Sequence, residues 1–269
     1  MSFIAGAALV ADGESFKSPG TSDFWWPLIG GDSNWAITRP AVVFLVSALL
    51  IGWFFVTVTG KKLSVVPSKR QFMAEGVYGF VRNTIGRDII GSKDFLRFLP
   101  LLLTCFTLIL FNNVAGIIPF IQYPSTGRIA FPIVLTVIVY ITYHVAAVKA
   151  KGGFGKYMGS LIPPGLPGWL KPIMFVLEFL TYFIIRPLTL ALRLFGNMFA
   201  GHMIIYLFVT GAFYFLLHGD GILMQALSLP TFLMAGVMVL FEALVQFLQA
   251  FVFVLLTSSY IAGALADDH

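Results

Sequence analysis

The chain has 269 residues, of which 58% are hydrophobic and only 11% are charged, and its mean hydropathy is +0.91. A soluble domain carries about 25% charged residues, so this composition excludes a soluble globular protein and indicates a polytopic membrane protein. The net charge of +5 lies mostly in short loops. Positive charge there sets membrane orientation, so it does not indicate a nucleic-acid partner. The single cysteine, Cys105, excludes an intrachain disulfide.

Residues 1–35 form an N-terminal tail that carries more acidic than basic residues. The first apolar run, Pro40–Val58, has close to the ~20 residues that a membrane-spanning helix needs, and Lys61 and Lys62 follow it. Because positive residues favour the cytoplasmic side, we expect the tail outside and these lysines inside. Residues 36–269 then form a single membrane domain.

Residues 68–90 predict either a helix on the cytoplasmic surface or a partly structured loop. In a helix, the apolar residues of this stretch would share one side and the arginines would lie elsewhere. Those apolar residues are Met73, Val77, Phe80, Val81 and Ile85.

Two further apolar runs, Leu96–Ile121 and Phe131–Val148, are separated by nine turn-like residues. Their spacing predicts a hairpin of two spanning helices. Asn112 and Asn113 interrupt the first of these runs and could bond to a neighbouring helix. Four lysines follow the second run, so the loop over residues 149–171 is expected inside.

The last two apolar stretches are too long for the usual template. Residues 172–217 and 231–265 would measure ~69 Å and ~52 Å as helices, whereas the hydrocarbon core is ~30 Å thick. A break at Pro187 would leave the first piece too short to span, so a steep tilt is expected instead. The predicted fold is all-α, with its C-terminus in the cytoplasm and about five membrane helices, at residues 40–58, 96–121, 131–148, 172–217 and 223–265.

The fourth span carries polar residues that share one face, about 100° wide, if the helix is ideal. They are Glu178, Tyr182, Arg186, Thr189, Arg193 and Asn197. A guanidinium at membrane depth costs about 2.5–3.5 kcal/mol, so Arg193 is the strongest candidate for a functional residue. A helix-packing role for Arg193 and snorkelling of Arg186 toward the interface are the alternatives.

The last span carries a narrower stripe, within about 60° of arc. It consists of Glu242, Gln246, Gln249, Phe253 and Tyr260. His202 lies on the fourth span, nearly opposite Arg193 and ~13 Å further along the axis. Histidine and glutamate are the usual components of proton relays.

These polar residues also have structural interpretations. His202 and Glu242 could pair without conducting protons, and the amides Asn197, Gln246 and Gln249 could join helices. His144, near the inner end of the third span, is more typical of a membrane interface than of a relay.

The sequence contains no phosphate-binding glycine loop, metal cluster or nucleophile constellation, so no cofactor, metal or reaction by this chain alone is expected. A fixed cation with few nearby carboxylates suggests that its anion belongs to another chain. An ion channel or proton-coupled carrier that works alone, and a structural anchor for other subunits, are the rival classes.

Two segments carry a family resemblance: RPLTLALRLFGNMFAGH (186–202) and LVQFLQAFVFVLLTSSYIAGAL (244–265). They resemble subunit a of the rotary proton-translocating ATP synthase, and the order of elements agrees along nearly the whole chain. The resemblance implies two tilted helices that curve around a ring of subunit c, and contact with subunit b of the peripheral stalk. The extended tail is similar to that of bacterial members, which implies the bacterial plasma membrane.

The resemblance also implies roles for single residues. Arg193 matches the arginine that faces the ring carboxylates, and Asn197 and Gln249 match polar residues near the proton path. His202 and Glu242 occupy channel positions where relatives can carry glutamate and histidine the other way round. Glu178 has no motif strong enough to transfer a role.

Overall fold

The computed structural model describes residues 27–29, 37–60, 64–118, 125–162, 165, 167–219 and 221–266. Five helices within these ranges are long and apolar enough to cross a membrane. They are Pro40–Thr59, Phe95–Ile117, Ala130–Ala150, Lys171–His218 and Ile222–Leu265. The predicted helical architecture, with two long final helices of 48 and 44 residues, is confirmed. The tilt of these two helices stays a prediction.

A short strand pair precedes the first spanning helix. Strand β1 (Pro27–Ile29) runs antiparallel to β2 (Ile37–Thr38), and helix α1 (Arg39–Thr59) follows at once. The sequence did not predict these strands. Most of the predicted tail, residues 1–35, lies outside the described residues.

Residues 69–90 are helical, which excludes the partly structured loop, and the position of this helix on the cytoplasmic surface stays a prediction. Helix α2 (Lys69–Phe80) continues as a π-helical segment, Val81–Ile90, and the Ser68 hydroxyl caps its start. Of the residues predicted to share an apolar side, Val81 and Ile85 are buried and Met73 is 63% exposed, while Gln71 is buried. The Gln71 amide nitrogen donates to the Ser64 carbonyl and to the Glu75 carboxylate, which fastens that side of the helix.

The predicted helix hairpin is present. Helix α3 (Phe95–Ile117) ends four residues before the predicted position, and residues 119–124 lie outside the described ranges. A 3-10 turn, Ser125–Gly127, leads into helix α4 (Ala130–Ala150), and the short helix α5 (Phe154–Gly159) follows it.

The fourth span is continuous through Pro187, as the length argument required. It consists of α6 (Lys171–Leu180), a π-helical turn (Thr181–Ile185) and α7 (Arg186–His218). The π turn ends just before Pro187, whose ring cannot continue the ordinary α-helical hydrogen bonding. The fifth span consists of α8 (Ile222–Ala226) and α9 (Ser228–Leu265).

The chain divides into two compact units. The first unit contains Met1–Leu49, Leu110–Arg128 and Phe195–Gln249, and the second contains Leu50–Ile109, Ile129–Leu194 and Ala250–His269. In the first unit, the Asn112 amide donates to the Ser47 hydroxyl at 2.8 Å, so the predicted bond to a neighbouring helix is confirmed. In the second unit, the Phe80 ring packs 5.6 Å from Phe106 and 5.8 Å from Phe251.

Candidate functional site

The first unit contains a close histidine–glutamate contact between its two long helices. His202 on α7 contacts Glu242 on α9 through Nδ1 and Oε1. The Glu242 side chain is buried, with 4% of the residue exposed. A buried carboxylate is costly unless it is paired and hydrogen-bonded, so α9 tolerates Glu242 only because α7 presents a partner.

Every polar neighbour of the His202 ring is an acceptor. Besides Glu242, Nδ1 lies 3.1 Å from the carbonyl oxygen of Met198, one turn earlier on α7. Nε2 lies 3.4 Å from the carbonyl oxygen of Gly116, in the last turn of α3. Each ring nitrogen therefore has a hydrogen-bond acceptor within reach, whichever of them carries the proton.

Amide side chains extend the row of polar groups that begins with Glu242 along α9; this row is called the polar line below. The Gln246 amide nitrogen lies 3.5 Å from Glu242 Oε1, and Asn197 Nδ2 on α7 donates to Gln249 Oε1 at 2.8 Å. Glu242 Oε2, Gln246 Oε1 and Gln249 Nε2 are buried and have no protein hydrogen-bond partner in the described part of the chain. Polar atoms buried in this way usually bind water, so these side chains join helices and still keep donors and acceptors for further hydrogen bonds.

Asn113 supports the polar line from α3. Its side-chain oxygen accepts from the Thr126 hydroxyl at 2.8 Å, and its amide nitrogen lies 3.4 Å from the carbonyl oxygen of Gln246. Asn113 and Thr126 are fully buried. The break in apolar character at Asn113 was the sequence signal for this contact, although it did not identify the partners.

Arg193 lies in the second unit, on an exposed face of α7. Its apolar neighbours Leu188 and Leu192 are also exposed, by 51% and 43%. Within the ranges that the structure describes, Arg193 makes no ion pair, side-chain hydrogen bond or ring contact. Its guanidinium is therefore available to an anion outside this chain.

Arg186 has a different environment in the same unit. Its guanidinium carbon lies 3.5 Å from the ring centroid of Tyr182 and 4.9 Å from that of Tyr260. Cation–π contacts of this kind contribute about 0.5–2 kcal/mol each. The contacts add a specific packing role that snorkelling alone would not require.

His144 belongs to an aromatic cluster with Tyr140, Tyr143 and Phe183. Its Nδ1 lies 2.9 Å from the hydroxyl of Tyr157, on α5. Burial raises the pKa of Tyr157 to about 12. The hydroxyl therefore stays protonated at physiological pH, and its hydrogen bond with the His144 ring ties α5 to α4.

A π-helical turn separates Glu178 from Arg193. This turn, Thr181–Ile185, corresponds to one residue inserted into an α-helix, and one inserted residue rotates the preceding segment by about 100°. On an ideal helix Glu178 lies about 60° from Arg193, so the rotation places it about 40° away on the other side. The π turn therefore changes the offset between the two residues, and their shared face stays a prediction.

The side chains of the described ranges form no metal site. Within those ranges, no three histidine, cysteine, aspartate or glutamate side chains lie close enough together to bind an ion.

The fold and these side chains define a class of protein: a multi-pass helical membrane protein with ionisable and amide groups on its two longest helices. The family described as ATP synthase A chain matches residues 41–262. The chain is 39% identical to ATP synthase subunit a of Nocardioides sp. over 279 residues, with full coverage of both sequences. Subunit a of Pseudarthrobacter chlorophenolicus is 38% identical over 99% of this chain and all of the relative.

Subunit a of Streptomyces lividans is also 38% identical, over 97% of this chain and 92% of the relative. The chain therefore belongs to the ATP synthase A chain family. It is the proton-conducting stator subunit of the synthase's membrane sector.

Proposed function

We propose that Arg193 is the fixed cation of this stator and that it faces the carboxylates of a rotating subunit c ring. The observation that carries the proposal is a permanent guanidinium on an exposed apolar face, with no anion of its own among the described residues. Such a charge is expensive in a membrane unless a partner neutralises it. A carboxylate that arrives with each ring subunit supplies that partner.

The buried pair His202–Glu242, with Gln246, Gln249 and Asn197, is proposed as the path by which protons reach the ring from outside. The proton neutralises a ring carboxylate, and the neutral site can then rotate into lipid, where a charged one would be costly. After nearly a full turn the site releases its proton into a second, offset half-channel that opens inward.

Arg193 separates the two half-channels in this mechanism. It attracts the deprotonated ring carboxylate, and its positive charge opposes a proton that crosses directly. A membrane potential supplies ~2.3 kcal/mol per charge per 100 mV. Rotation captures that energy only when direct leakage is blocked.

The same proposal includes the membrane, the orientation and the partners of the chain. The protein lies in the plasma membrane of a bacterium, with its N-terminus outside and its C-terminus in the cytoplasm. It contacts the subunit c ring, subunit b of the peripheral stalk and the lipid bilayer. The homology to bacterial relatives supports the location, and the excess of lysine in the loops before α3 and after α4 supports the orientation.

Replacement of the fixed cation tests the proposal. In inverted vesicles that contain the complete synthase, Arg193→Ala should abolish ATP synthesis while passive proton leak persists or rises. Arg87→Ala is the matched control, because Arg87 is an exposed arginine of the π segment after α2. Synthesis at the wild-type rate in Arg193→Ala would refute the role of Arg193.

A further inference from the structure

Helices α7 and α9 come very close together at Gly201, which precedes His202. A Cβ atom placed on Gly201 would lie 3.0 Å from both Cδ and Oε1 of Glu242 and 3.4 Å from its Cγ. Contacts near 3.0 Å are tighter than side chains normally tolerate, since carbon atoms pack at about 3.5–4.0 Å. The carboxylate therefore lies directly against the backbone of α7, and a Cβ at position 201 would require it to shift by a few tenths of an ångström.

The Glu242 carboxylate is also constrained on its other sides. Oε1 contacts His202 Nδ1 and lies 3.5 Å from the Gln246 amide nitrogen. Oε2 is buried and has no protein partner in the described ranges. A group added at Gly201 would push against Cδ and Oε1, the atoms that set the contact with His202.

We propose that Gly201 is a positioning residue for proton transfer: its missing side chain lets the Glu242 carboxylate lie on α7 with Oε1 toward His202 and Oε2 left for proton exchange. This inference rests on the proposed function, in which Glu242 carries protons. Gly201 itself touches no proton. It acts through the place and orientation of the carboxylate.

The test is a double-mutant cycle in the complete synthase, with proton-driven ATP synthesis and passive proton flux measured in inverted vesicles. Gly201→Ala should lower both rates several-fold, because a misplacement of ~1 Å can cost up to ~10²-fold and the carboxylate would have to shift by a few tenths of an ångström. Glu242→Asp withdraws the carboxylate by about one carbon–carbon bond, ~1.5 Å. In the Glu242→Asp background, Gly201→Ala should therefore have little further effect.

Gly211→Ala is the matched control. Gly211 lies on the same helix, and a Cβ there would meet only Thr231 Cγ2, at an ordinary 3.9 Å. Both alanine substitutions change helix propensity equally. A wild-type rate in Gly201→Ala would overturn the positioning role. An equal loss from Gly201→Ala in the wild-type chain and in the Glu242→Asp variant would overturn it too.

If Gly201→Ala fails to fold, the amount of the chain found in assembled synthase provides a second measurement. Because the overlap is with the Glu242 carboxylate, Glu242→Ala should restore the amount of Gly201→Ala chain found in assembled synthase. Failure to restore it would overturn the inference. The proposed function is judged separately by Glu242→Gln: normal flux in that variant removes Glu242 from the path, whatever Gly201→Ala does.

Discussion

Arg186 and Arg193 have the same chemistry but opposite environments. The Arg186 guanidinium lies against the rings of Tyr182 and Tyr260, whereas Arg193 has no such neighbour among the described residues. The two arginines are seven residues apart, so an ideal helix places them on nearly the same face. Sequence periodicity therefore identified both as candidates, and only the aromatic contacts distinguish a packed cation from an available one.

At this scale we expect Glu242→Gln to lower proton flux strongly, because a neutral amide cannot take up and release a proton. His202→Glu should restore part of the flux in the same chain, since it returns a carboxylate to the other side of the contact. Passive proton uptake by vesicles that carry the membrane sector measures both effects.

Asp88→Asn is the matched control for this change, because Asp88 is an exposed carboxylate of the π segment after α2. If Glu242→Gln conducts protons as fast as Asp88→Asn, the His202–Glu242 pair has only a structural role. His202 and Glu242 could be identified as candidates from their spacing on the helices, but the inferred need for glycine at position 201 could not. That need depends on how closely a second helix approaches, and a single sequence does not encode this distance locally.

The spanning helices were predictable because hydrophobic length alone determines them. The predicted ends lie within four residues of the observed ones, as at Ile117 on α3. The two π-helical segments, Val81–Ile90 and Thr181–Ile185, were not predictable. A π turn has no strong sequence signature and is stabilised by the surrounding packing. This is why the ideal-helix angle between Glu178 and Arg193 needs a correction for the π turn, while the limits of the same span were right.

The short helix α5 provides a test at the scale of one element. Tyr157→Phe removes the hydrogen bond to His144 and should cost about 1 kcal/mol of local stability. Amide hydrogen exchange over residues 154–159 should become several-fold faster. Tyr78→Phe, on the exposed side of α2, should leave that exchange unchanged.

The same contact has an expected pH dependence. The pKa of Tyr157 is about 12 when α5 is packed, against an ordinary value of 10.0. A raised pKa of an acid means that its neutral form is favoured in the folded state. The contribution of the Tyr157 hydroxyl to the stability of packed α5 is therefore complete below pH 10 and declines toward pH 12. The protection factor of the amides over residues 154–159, in which the base-catalysed rise of the intrinsic exchange rate is divided out, should fall only in that alkaline range, and a fall that begins near pH 7 would contradict this account.

The orientation of the whole molecule can be tested by cysteine labelling, because the native cysteine should give little background signal. Cys105 is only 3% exposed, so a membrane-impermeant maleimide should label the unmodified chain poorly. Ser92→Cys should react only in inverted vesicles, and Gln225→Cys only in right-side-out vesicles, because both positions are exposed and are expected on opposite sides. Labelling of Ser92→Cys in right-side-out vesicles would reverse the proposed topology.

The low burial of the longest span has a consequence for the life of the protein in a cell. Only 17% of the most apolar window of Lys171–His218 is buried within the chain, so most of that surface is left to lipid and, by the proposed function, to the neighbouring subunits. Quality-control proteases remove membrane subunits that remain orphaned. The cellular lifetime of this polypeptide should therefore depend on the supply of its assembly partners, and its abundance should fall when their synthesis stops, even if its own gene is still expressed.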